Sequence, residues 1–485
     1  MRSPQVRWAR RARSATIPVM DKTRQWWVLA ICCTSIFLVG LDTTVVNVAL
    51  PSIGRELRLG VPELEWTVDA YTLVLAGLLI TSGALADRIG RRRVFRAGLV
   101  LFAAGSLGCA VAPGLEVLVA ARMVQGVGGS MLSPVALAIV VNVITEPRER
   151  AQAIGVWAAV FGLSMAAGPL LGGALIAGLG WRAVFWANLP IIAIVGVLTA
   201  VHVPESRSPR PRRLDLPGQV LLSILVGSVV AVLIEGPRTG WRSGWATAAY
   251  LAIAAVGFIF VRTQTRRAEP LIDLRLFRRP PFAAAVGGAV VTFVALNATL
   301  LLGTLYLQQV RGLSPLAAGA VTLPMALAAT ICAPLSGYLV GRVGPRLPLR
   351  LAGAGIAAGG ALLVGLGERT ALPVLLVAYL CVGIGVGFAN APITNTAVSG
   401  LPPERSGLAG GIASTARQIG AALGIALAGG LVAEPGAGGL TPAMSPGWIL
   451  VAVCGALLLL VAQASPVAST RRLVSARQIS VVSAK

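Results

Sequence analysis

Residues 83–95 read G-A-L-A-D-R-I-G-R-R-R-V-F and lie between two long apolar runs, 67–86 and 94–112. Each run is about the length that a helix needs to cross a bilayer, roughly 20 residues. The two helices must therefore turn around a short arginine-rich loop, with one acid, Asp87, at the end of the first helix. Because clustered positive charge resists translocation, we expect this loop on the cytoplasmic side of a membrane.

The composition indicates an integral membrane protein. Of the 485 residues, 56% are hydrophobic and 12% are charged, whereas about 25% of a soluble domain is charged. The net charge of +23 is divided among short gaps between apolar runs, so no nucleic-acid partner is expected. Only Lys22 and Lys485 are lysines, which excludes a G-x-x-x-x-G-K-[ST] phosphate loop, and we predict no cofactor. The cysteines and the one histidine have no metal-like spacing, so no metal site is predicted.

Apolar runs of spanning length predict fourteen transmembrane helices. An even number places both termini on one side, and 32 of the 41 Lys and Arg residues fall in the loops on that side. Both termini are therefore expected in the cytoplasm. The preference for Arg over Lys, with abundant Ala and Gly, suggests a bacterial source and hence the inner membrane. The runs are 26–50, 67–86, 94–112, 115–144, 151–178, 183–203, 216–235, 245–263, 283–308, 315–341, 348–367, 371–398, 407–433 and 448–467.

A second copy of the arginine loop, G-Y-L-V-G-R-V-G-P-R at 337–346, follows the first at an offset of 254 residues. Two six-helix halves alone would give an offset of about 190, at about 30 residues per span and loop. The excess predicts two additional central helices, and parallel repeats of this kind place a substrate site between the halves. The predicted regions are a basic tail 1–25, a six-helix bundle 26–206, a linker with two helices 207–264, a second bundle with its preceding loop 265–467, and a tail 468–485.

Two ionisable residues inside the spans are the main candidates for chemistry, since each costs about 2.5–3.5 kcal/mol to place there. Asp42 lies about eight residues before the outer end of the first span, and Arg122 enters the fourth span from the same side to a similar depth. The two side chains are therefore expected to be able to pair. Asp69, three residues after Trp66, is expected near the outer interface of the second span.

The Asp42–Arg122 pair suggests a proton switch. Burial disfavours an ionised carboxylate, whereas a close guanidinium favours it. A conformational change that alters their distance would make Asp42 bind and release a proton. The alternative is a static ion pair that only holds helices 1 and 4 together. For Asp69 the alternatives are proton coupling and a merely hydrated, shallow acid; Asp42 and Asp69 are the only acids expected within the membrane.

Three further groups of residues are candidates for gating and for lining the substrate path. The arginine loop is expected to act as a cytoplasmic latch, or else only to orient the protein. Small residues four apart in the fifth span allow close helix packing, and its proline permits a bend. Polar residues inside the spans are possible cavity-lining groups, although Arg417 and Gln418 fit a packing role equally well. The loop residues are Gly83, Asp87, Arg88, Gly90, Arg91 and Arg92; the span-5 residues are Ser164, Gly168, Pro169, Gly172 and Gly173; the polar residues are Asn47, Gln125, Arg417 and Gln418.

These motifs together resemble the 14-helix drug:proton antiporters of the major facilitator superfamily over roughly residues 26–467. The match includes the G-x-L-x-D-R-x-G-R-R loop, L-D-T-T-V-V-N-V-A-L-P from Leu41 to Pro51, and R-M-V-Q-G from Arg122. The fifth span resembles the exporter pattern G-x-x-x-G-P-x-x-G-G, with Ser164 in place of its first Gly.

The resemblance implies an all-α integral membrane protein with the major facilitator fold, two six-helix bundles plus two extra central helices. It implies a secondary active transporter, not an enzyme, that acts as a monomer and exports an amphipathic drug or antibiotic in exchange for protons. Asp42 would be the proton-linked acid, Arg122 its partner, and the span-5 motif the antiporter helix. The alternatives are a proton-coupled importer of a small metabolite and a membrane-embedded enzyme or sensor, for which the sequence shows no clustered catalytic set.

Overall fold

The computed structural model describes residues 21–208, 214–267, 269–398, 403–433 and 440–464. Most of the first predicted tail and all of the second lie outside these residues. The described residues form long helices and short connections, with no strand among them. The helices are α1 (Lys22–Leu57), α2 (Val61–Ile89), α3 (Arg91–Ala110), α4 (Leu115–Val143), α5 (Pro147–Leu179), α6 (Ala183–His202, interrupted at Ala187), α7 (Leu216–Thr239), α8 (Gly244–Arg266), α9 (Pro280–Leu305), α10 (Pro315–Val343), α11 (Arg346–Leu363), α12 (Leu372–Val398), α13 (Pro403–Val432) and α14 (Leu440–Ala464).

Twelve of these fourteen helices are long and apolar enough to cross a membrane, by length and composition, within the part of the chain that the structure describes. The other two are α5, whose described apolar stretch is the shorter Ala167–Leu179, and α11, which has 18 residues and two arginines, Arg346 and Arg350. Large apolar side chains such as Val100 and Phe258 are each 67% exposed on the outside of the molecule. Such a surface fits hydrocarbon rather than water.

Local sequence explains where several helices begin. The Ser314 side chain accepts a hydrogen bond from the backbone N–H of Ala317 at 3.2 Å, and Pro315 occupies the first helical position of α10. Ser243 caps α8 in the same way through Ala246 at 3.2 Å. These residues satisfy N–H groups that the first turn of a helix leaves without a partner.

The helices form two bundles that meet along two seams. Within the first bundle α3 packs on α4, α2 on α4 and α1 on α5; within the second, α10 packs on α12, α11 on α12 and α14, and α9 on α13. The seams between the bundles are α5 against α10 and α2 against α13. We call the side that carries the α2–α3 turn at Gly90 the basic side, and the side that carries the α1–α2 turn at Arg58 the far side.

The α5–α10 seam depends on glycines that allow the two backbones to touch. A Cβ on Gly173 of α5 would lie 2.6 Å from the carbonyl oxygen of Pro315. A Cβ on Gly319 of α10 would collide with the carbonyl oxygen of Pro169. Since Pro315 begins α10 at the far side, the two bundles are in close contact on that side.

The two additional helices expected from the repeat offset are α7 and α8. They pack on each other, and α7 also packs on α2 and α13, one helix from each bundle. Asp215 holds this pair on the basic side: its carboxylate accepts hydrogen bonds from Gln264 Nε2 at 2.7 Å and from the N–H of Leu271 at 3.0 Å. Arg267 Nη1 lies 2.9 Å from Asp215 Oδ1. A buried carboxylate thereby connects α7, α8 and the loop that enters the second bundle.

Candidate functional site

Asp42 on α1 and Arg122 on α4 form an ion pair inside the first bundle. Arg122 Nη1 donates a hydrogen bond to Asp42 Oδ2 at 2.6 Å, and both side chains are fully buried. The sequence brings these two residues to the same depth of neighbouring helices, and the structure joins them.

A network of neutral polar groups completes the coordination of Asp42. Gln125 Nε2 donates to Asp42 Oδ1 at 2.8 Å and to Ser106 Oγ at 2.9 Å, while Gln125 Oε1 accepts from Arg122 at 2.7 Å. Asn188 Nδ2 lies 3.4 Å from Asp42 Oδ1 and 3.3 Å from Ser106 Oγ. The network joins α1, α3, α4 and α6, and it places Gln125 beside the ion pair.

Arg122 is held from two other directions. Its Nε donates to the carbonyl oxygen of Thr67 on α2 at 3.0 Å. The guanidinium carbon lies 4.3 Å from the centroid of the Tyr71 ring and 6.0 Å from that of Phe185. A buried cation over an aromatic face gains a cation–π attraction of about 2 kcal/mol. Its Nη2 has no hydrogen-bond partner among the described residues, so one donor remains available.

The sequence analysis assigned no role to Ser106, Asn188, Tyr71 or Phe185. Ser106 and Asn188 are single neutral polar residues in apolar helices, a signal too weak to separate from local backbone hydrogen bonding. The two aromatic rings carry no signal at all, because aromatic residues are common in any membrane helix. Only the packing of α2, α3 and α6 around α4 shows that these residues surround the ion pair.

Asp69 differs from the expectation of a shallow, hydrated acid. It is 0% exposed, and neither carboxyl oxygen has a hydrogen-bond partner in the described ranges. Two acids were also missed. Glu65, one turn before Asp69 on α2, is 0% exposed, and Glu235, the last residue of the predicted span 216–235, lies inside α7. Glu65 is therefore a buried acid of the first bundle in addition to Asp42 and Asp69.

The arginine loop makes its described contacts within the first bundle. Asp87 pairs with Arg91 at 2.9 Å, and the N–H of Arg92 donates to Glu205 Oε1 at 3.1 Å. Gly90 has φ +121°, and a Cβ there would lie 2.5 Å from the same Glu205 oxygen. The turn thus requires glycine for both its backbone conformation and its space. Arg88 is exposed, and Gly83 faces Pro134 at 4.0 Å.

The small residues of α5 contact both α1 and α10. A Cβ on Gly168 would overlap Thr44 Oγ1, and one on Gly172 would lie 2.9 Å from Val45 Cγ1. Gly173 and Pro169 face α10, as described above. Ser164 is buried. This helix therefore packs at once on α1, which carries Asp42, and on the opposite bundle.

A narrow cavity lies between α1, α5, α9 and α10, where the two bundles meet. Asn47 lines it, as expected from its position in the first span, together with Gln308 of the π-helical turn Tyr306–Val310 that follows α9. Gln308 Nε2 donates to the carbonyl oxygen of Val48 at 3.0 Å, and Asn47 Nδ2 donates to that of Thr43 at 3.0 Å. The side-chain oxygens of both amides are buried without a partner among the described residues. The cavity therefore presents two unused acceptors.

Arg417 and Gln418 do not border this cavity. Arg417 donates to Ser414 Oγ at 2.6 Å and lies 3.4 Å from Thr394 Oγ1 of α12, so its described contacts are within the second bundle. Gln418 is partly exposed. For these two residues the packing alternative fits the observed contacts better than a cavity-lining role.

Comparisons with known proteins agree with this architecture. Multidrug resistance protein Stp of Mycobacterium tuberculosis is 41% identical over 399 residues, which cover 82% of this chain and 74% of Stp. Drug efflux pump JefA of the same species is 37% identical over 402 residues, covering 82% and 78%. A crystal structure of a bacterial homologue of the human lysosomal transporter Spinster shares the fold, with a TM-score of 0.62 at 17% identity over 92% of this chain and 98% of that one. The sequence model of the Major Facilitator Superfamily matches residues 32–425, and the chain belongs to this superfamily.

Proposed function

We propose that this protein is a proton-coupled antiporter that exports drugs, antibiotics or other amphipathic small molecules by alternating access. The observation that carries the proposal is the buried Asp42–Arg122–Gln125 network. A buried acid whose donors come from a neighbouring helix is suited to binding a proton only in a state that separates it from those donors. Superfamily membership makes the chain a transporter and not an enzyme. Export of drugs follows the names of Stp and JefA.

We place the protein in the bacterial plasma membrane with the basic side in the cytoplasm. The distribution of Lys and Arg supports this orientation, with both termini in the cytoplasm. Residues 26–206 and 265–467 would be the two moving halves, and 207–264 would add the α7–α8 pair. A single chain would carry the whole pathway, and the proton gradient would supply the energy without a cofactor.

In the proposed cycle, Asp42 is ionised while the network is intact. Its carboxylate then has donors from Arg122, Gln125 and Asn188. If α1 moves away from α4, those donors are lost while the site stays apolar, and burial then favours the protonated acid. Asp42 would take a proton when the site faces outward and release it when the network re-forms facing the cytoplasm.

Helix α1 would couple the proton to the substrate because it borders both sites. Asp42 faces α4, whereas Thr44 and Asn47 line the cavity between the bundles. A substrate that donates hydrogen bonds to the free oxygens of Asn47 and Gln308 would contact both bundles at once. Its binding would shift α1 against α4 and so change the proton affinity of Asp42. The glycines of α5 at Thr44 and Val45 would transmit the same movement to α10.

The α2–α3 turn is proposed as the cytoplasmic gate. In this structure the described contacts of Asp87 are with the first bundle, chiefly Arg91. A gating role requires that contact to be exchanged when the bundles rock, and the exposed Arg88 lies beside it. Glu205 would keep the turn in place through Gly90 and Arg92 during that exchange.

The energy available from one proton is sufficient for efflux. An inward proton yields about 2.3 kcal/mol per 100 mV and about 1.36 kcal/mol per pH unit. Together they support a concentration gradient of a few hundredfold for a neutral substrate exchanged one to one. No second energy source is required.

The proposal is tested by measuring susceptibility to a panel of lipophilic antibiotics and dyes in a bacterial host that lacks its own efflux pumps. We expect the wild-type chain to raise resistance to at least one compound, and Asp42→Asn to remove that resistance at equal membrane expression. Glu116→Gln, which changes an exposed acid at the start of α4, is the matched control and should act as wild type. A host that becomes more sensitive, with compound accumulating in the cells, would instead indicate an importer.

A further inference from the structure

Two buried acids lie near the far-side end of α2, and one of them, Glu65, contacts the opposite bundle. Glu65 and Asp69 are four residues apart and so occupy the same face of the helix. Glu65 meets Gly429 of α13, where an added Cβ would collide with Glu65 Oε1. Neither acid belongs to the Asp42 network, which lies on the α4 side of the first bundle.

Both acids are sealed without partners. Each residue is 0% exposed, and all four carboxyl oxygens lack a hydrogen-bond partner among the described residues. An isolated ionised carboxylate in such surroundings is strongly disfavoured. Two of them one turn apart would also repel each other. In this conformation, in which α2 and α13 are in contact, burial and mutual repulsion therefore favour the protonated, uncharged form of both acids.

None of the charged groups around Glu65 would stabilise its ionised carboxylate. The groups that act on it electrostatically are Asp69 and Glu63 of its own helix and Glu235 of α7, all acidic. The neighbouring cation of α7, Arg238, is paired with Glu63 at 3.4 Å, and Glu235 accepts a hydrogen bond from Trp66 Nε1 at 3.1 Å. From α13 the contact is Gly429, which carries no charge. Arg122 of α4 reaches α2 at the backbone oxygen of Thr67, but its guanidinium is paired with Asp42.

We propose that Glu65 and Asp69 form a second proton-binding site, which is occupied when the far side is closed and empties when α2 separates from α13 there. The inference rests on the proposed alternating-access transport. The four oxygens are buried and lack hydrogen-bond partners among the described residues, and protonation removes the charge that would otherwise be uncompensated there. Once the seam opens, water reaches both acids and they ionise. Their mutual repulsion and hydration then oppose closure until protons return from the outer solution.

This site acts on the conformational equilibrium directly. Closing the far side requires both acids to be neutral, so acid outside promotes closure and alkali promotes opening. For each proton released on opening, the ratio of open to closed molecules rises about tenfold per pH unit across the titration range. Two carboxyls that titrate together contribute about a hundredfold per pH unit. This value separates a shared site from a single acid once the opposing proton uptake at Asp42 is removed by Asp42→Asn.

The test measures the far-side distance between the bundles by fluorescence energy transfer in the purified full-length protein, without any drug. Each protein is also measured with Asp42→Asn, the background to which the slopes given for the α2 variants apply. Dyes are attached at Arg55→Cys, near the far-side end of α1, and at Glu368→Cys, between α11 and α12; both positions are exposed. The native cysteines are buried or half-buried. We expect the wild-type distance to lengthen as pH rises. Glu65→Gln should reduce the slope to tenfold or less per pH unit, and the additional change Asp69→Asn should abolish it.

Glu63→Gln is the matched control, since it makes the same substitution two residues away at a side chain that is 30% exposed and paired with Arg238. It should behave as wild type. Gly429→Ala provides a second variant that keeps both acids but places a methyl group against the Glu65 carboxyl, and it should shift the equilibrium toward the open far side at every pH. A pH-independent wild-type distance, or an unchanged slope in Glu65→Gln, would overturn the inference. A slope lost in Asp42→Asn but kept in Glu65→Gln would also overturn it, while leaving the proposed export intact.

Discussion

Arg122 Nη1 lies 2.6 Å from Asp42 Oδ2, while the same guanidinium sits 4.3 Å from the centroid of the Tyr71 ring. The cation is thus held between a carboxylate of α1 and an aromatic face of α2. Because α1 and α2 meet α4 on different sides, a relative movement of α1 weakens the ion pair while the aromatic contact retains the arginine. This asymmetry supports the proposal that Asp42, rather than Arg122, is the partner that changes its protonation state.

Removing one partner of the buried pair should destabilise the fold. Arg122→Leu leaves Asp42 without its cation, and breaking a buried pair in this way costs about 3–5 kcal/mol. Arg122→Leu combined with Asp42→Asn removes both charges and should recover much of that loss. Thermal unfolding of the purified protein in detergent measures the difference. If Arg122→Leu alone unfolded at the same temperature as wild type, the ion pair would not contribute to the stability of the fold.

Close packing of α5 on α1 should be required for transport. Gly168→Ala places a methyl group where Thr44 Oγ1 lies, and overpacking of this kind costs about 1–3 kcal/mol. We expect drug efflux to fall by at least about tenfold, since that energy is comparable to the energy of the transition it disturbs. Gly178→Ala on the same helix meets no atom within 4 Å and should export normally. Equal efflux in both variants would exclude a role for this contact.

The α2–α3 turn should tolerate no side chain at Gly90. Gly90→Ala combines a positive φ of +121° with contact to the Glu205 carboxylate. Gly240→Ala has φ +85° with open space around it, and so it introduces backbone strain alone, about 1–3 kcal/mol. We expect Gly90→Ala to lower the melting temperature more than Gly240→Ala. A larger loss of melting temperature in Gly240→Ala than in Gly90→Ala would show that the Glu205 side chain moves aside without a cost in stability.

Asp215 should make the free energy of unfolding depend on pH in the acid range. Burial opposes its ionisation, but hydrogen bonds from Gln264 and the backbone of Gly218 and Leu271, with the charge of Arg267, lower the pKa of this carboxyl overall. A lowered folded-state pKa gives stability that is fully present above the unfolded pKa of about 3.9 and is lost as pH falls through the folded value.

Asp215→Asn should therefore melt at a lower temperature than wild type at neutral pH, and the difference should shrink only when the pH falls below about 4. The melting temperature of both proteins, measured in detergent between neutral and acid pH, checks this. A difference that stays constant into acid would show that Asp215 contributes as a neutral hydrogen-bonding group.

The sequence is sufficient to predict the helices and the main ion pair, because both depend on position along single helices. Counting residues from the span ends places Asp42 and Arg122 at one depth, and the repeat offset of 254 residues predicts α7 and α8. The burial of Asp69 depends on which helices lie beside α2, not on its depth along that helix. Spacing within the sequence does not show which helices these are, just as it does not show that Gly429 of α13 packs over the neighbouring Glu65.

Two further differences have equally local causes. Glu235 is the last residue of the predicted run 216–235, and because α7 continues to Thr239 it lies inside the helix rather than at its end. The neutral partners of Asp42, such as Ser106 and Asn188, carry no charge, and a single polar residue in an apolar helix does not show which neighbour it faces. Hydropathy gives the depth of a residue, whereas its partners follow from the packing angles of the helices.

The most direct test of the account is drug transport by purified protein in sealed liposomes under an imposed proton gradient. We predict that the wild-type protein moves drug against its gradient, by up to a few hundredfold, and that an ionophore which collapses the proton gradient abolishes this accumulation. Asp42→Asn should accumulate no more drug than the wild-type protein does after the proton gradient is collapsed. Glu116→Gln should accumulate as much drug as the wild-type protein does under the imposed gradient. Undiminished accumulation after collapse of the gradient, or in Asp42→Asn, would contradict a proton switch at Asp42.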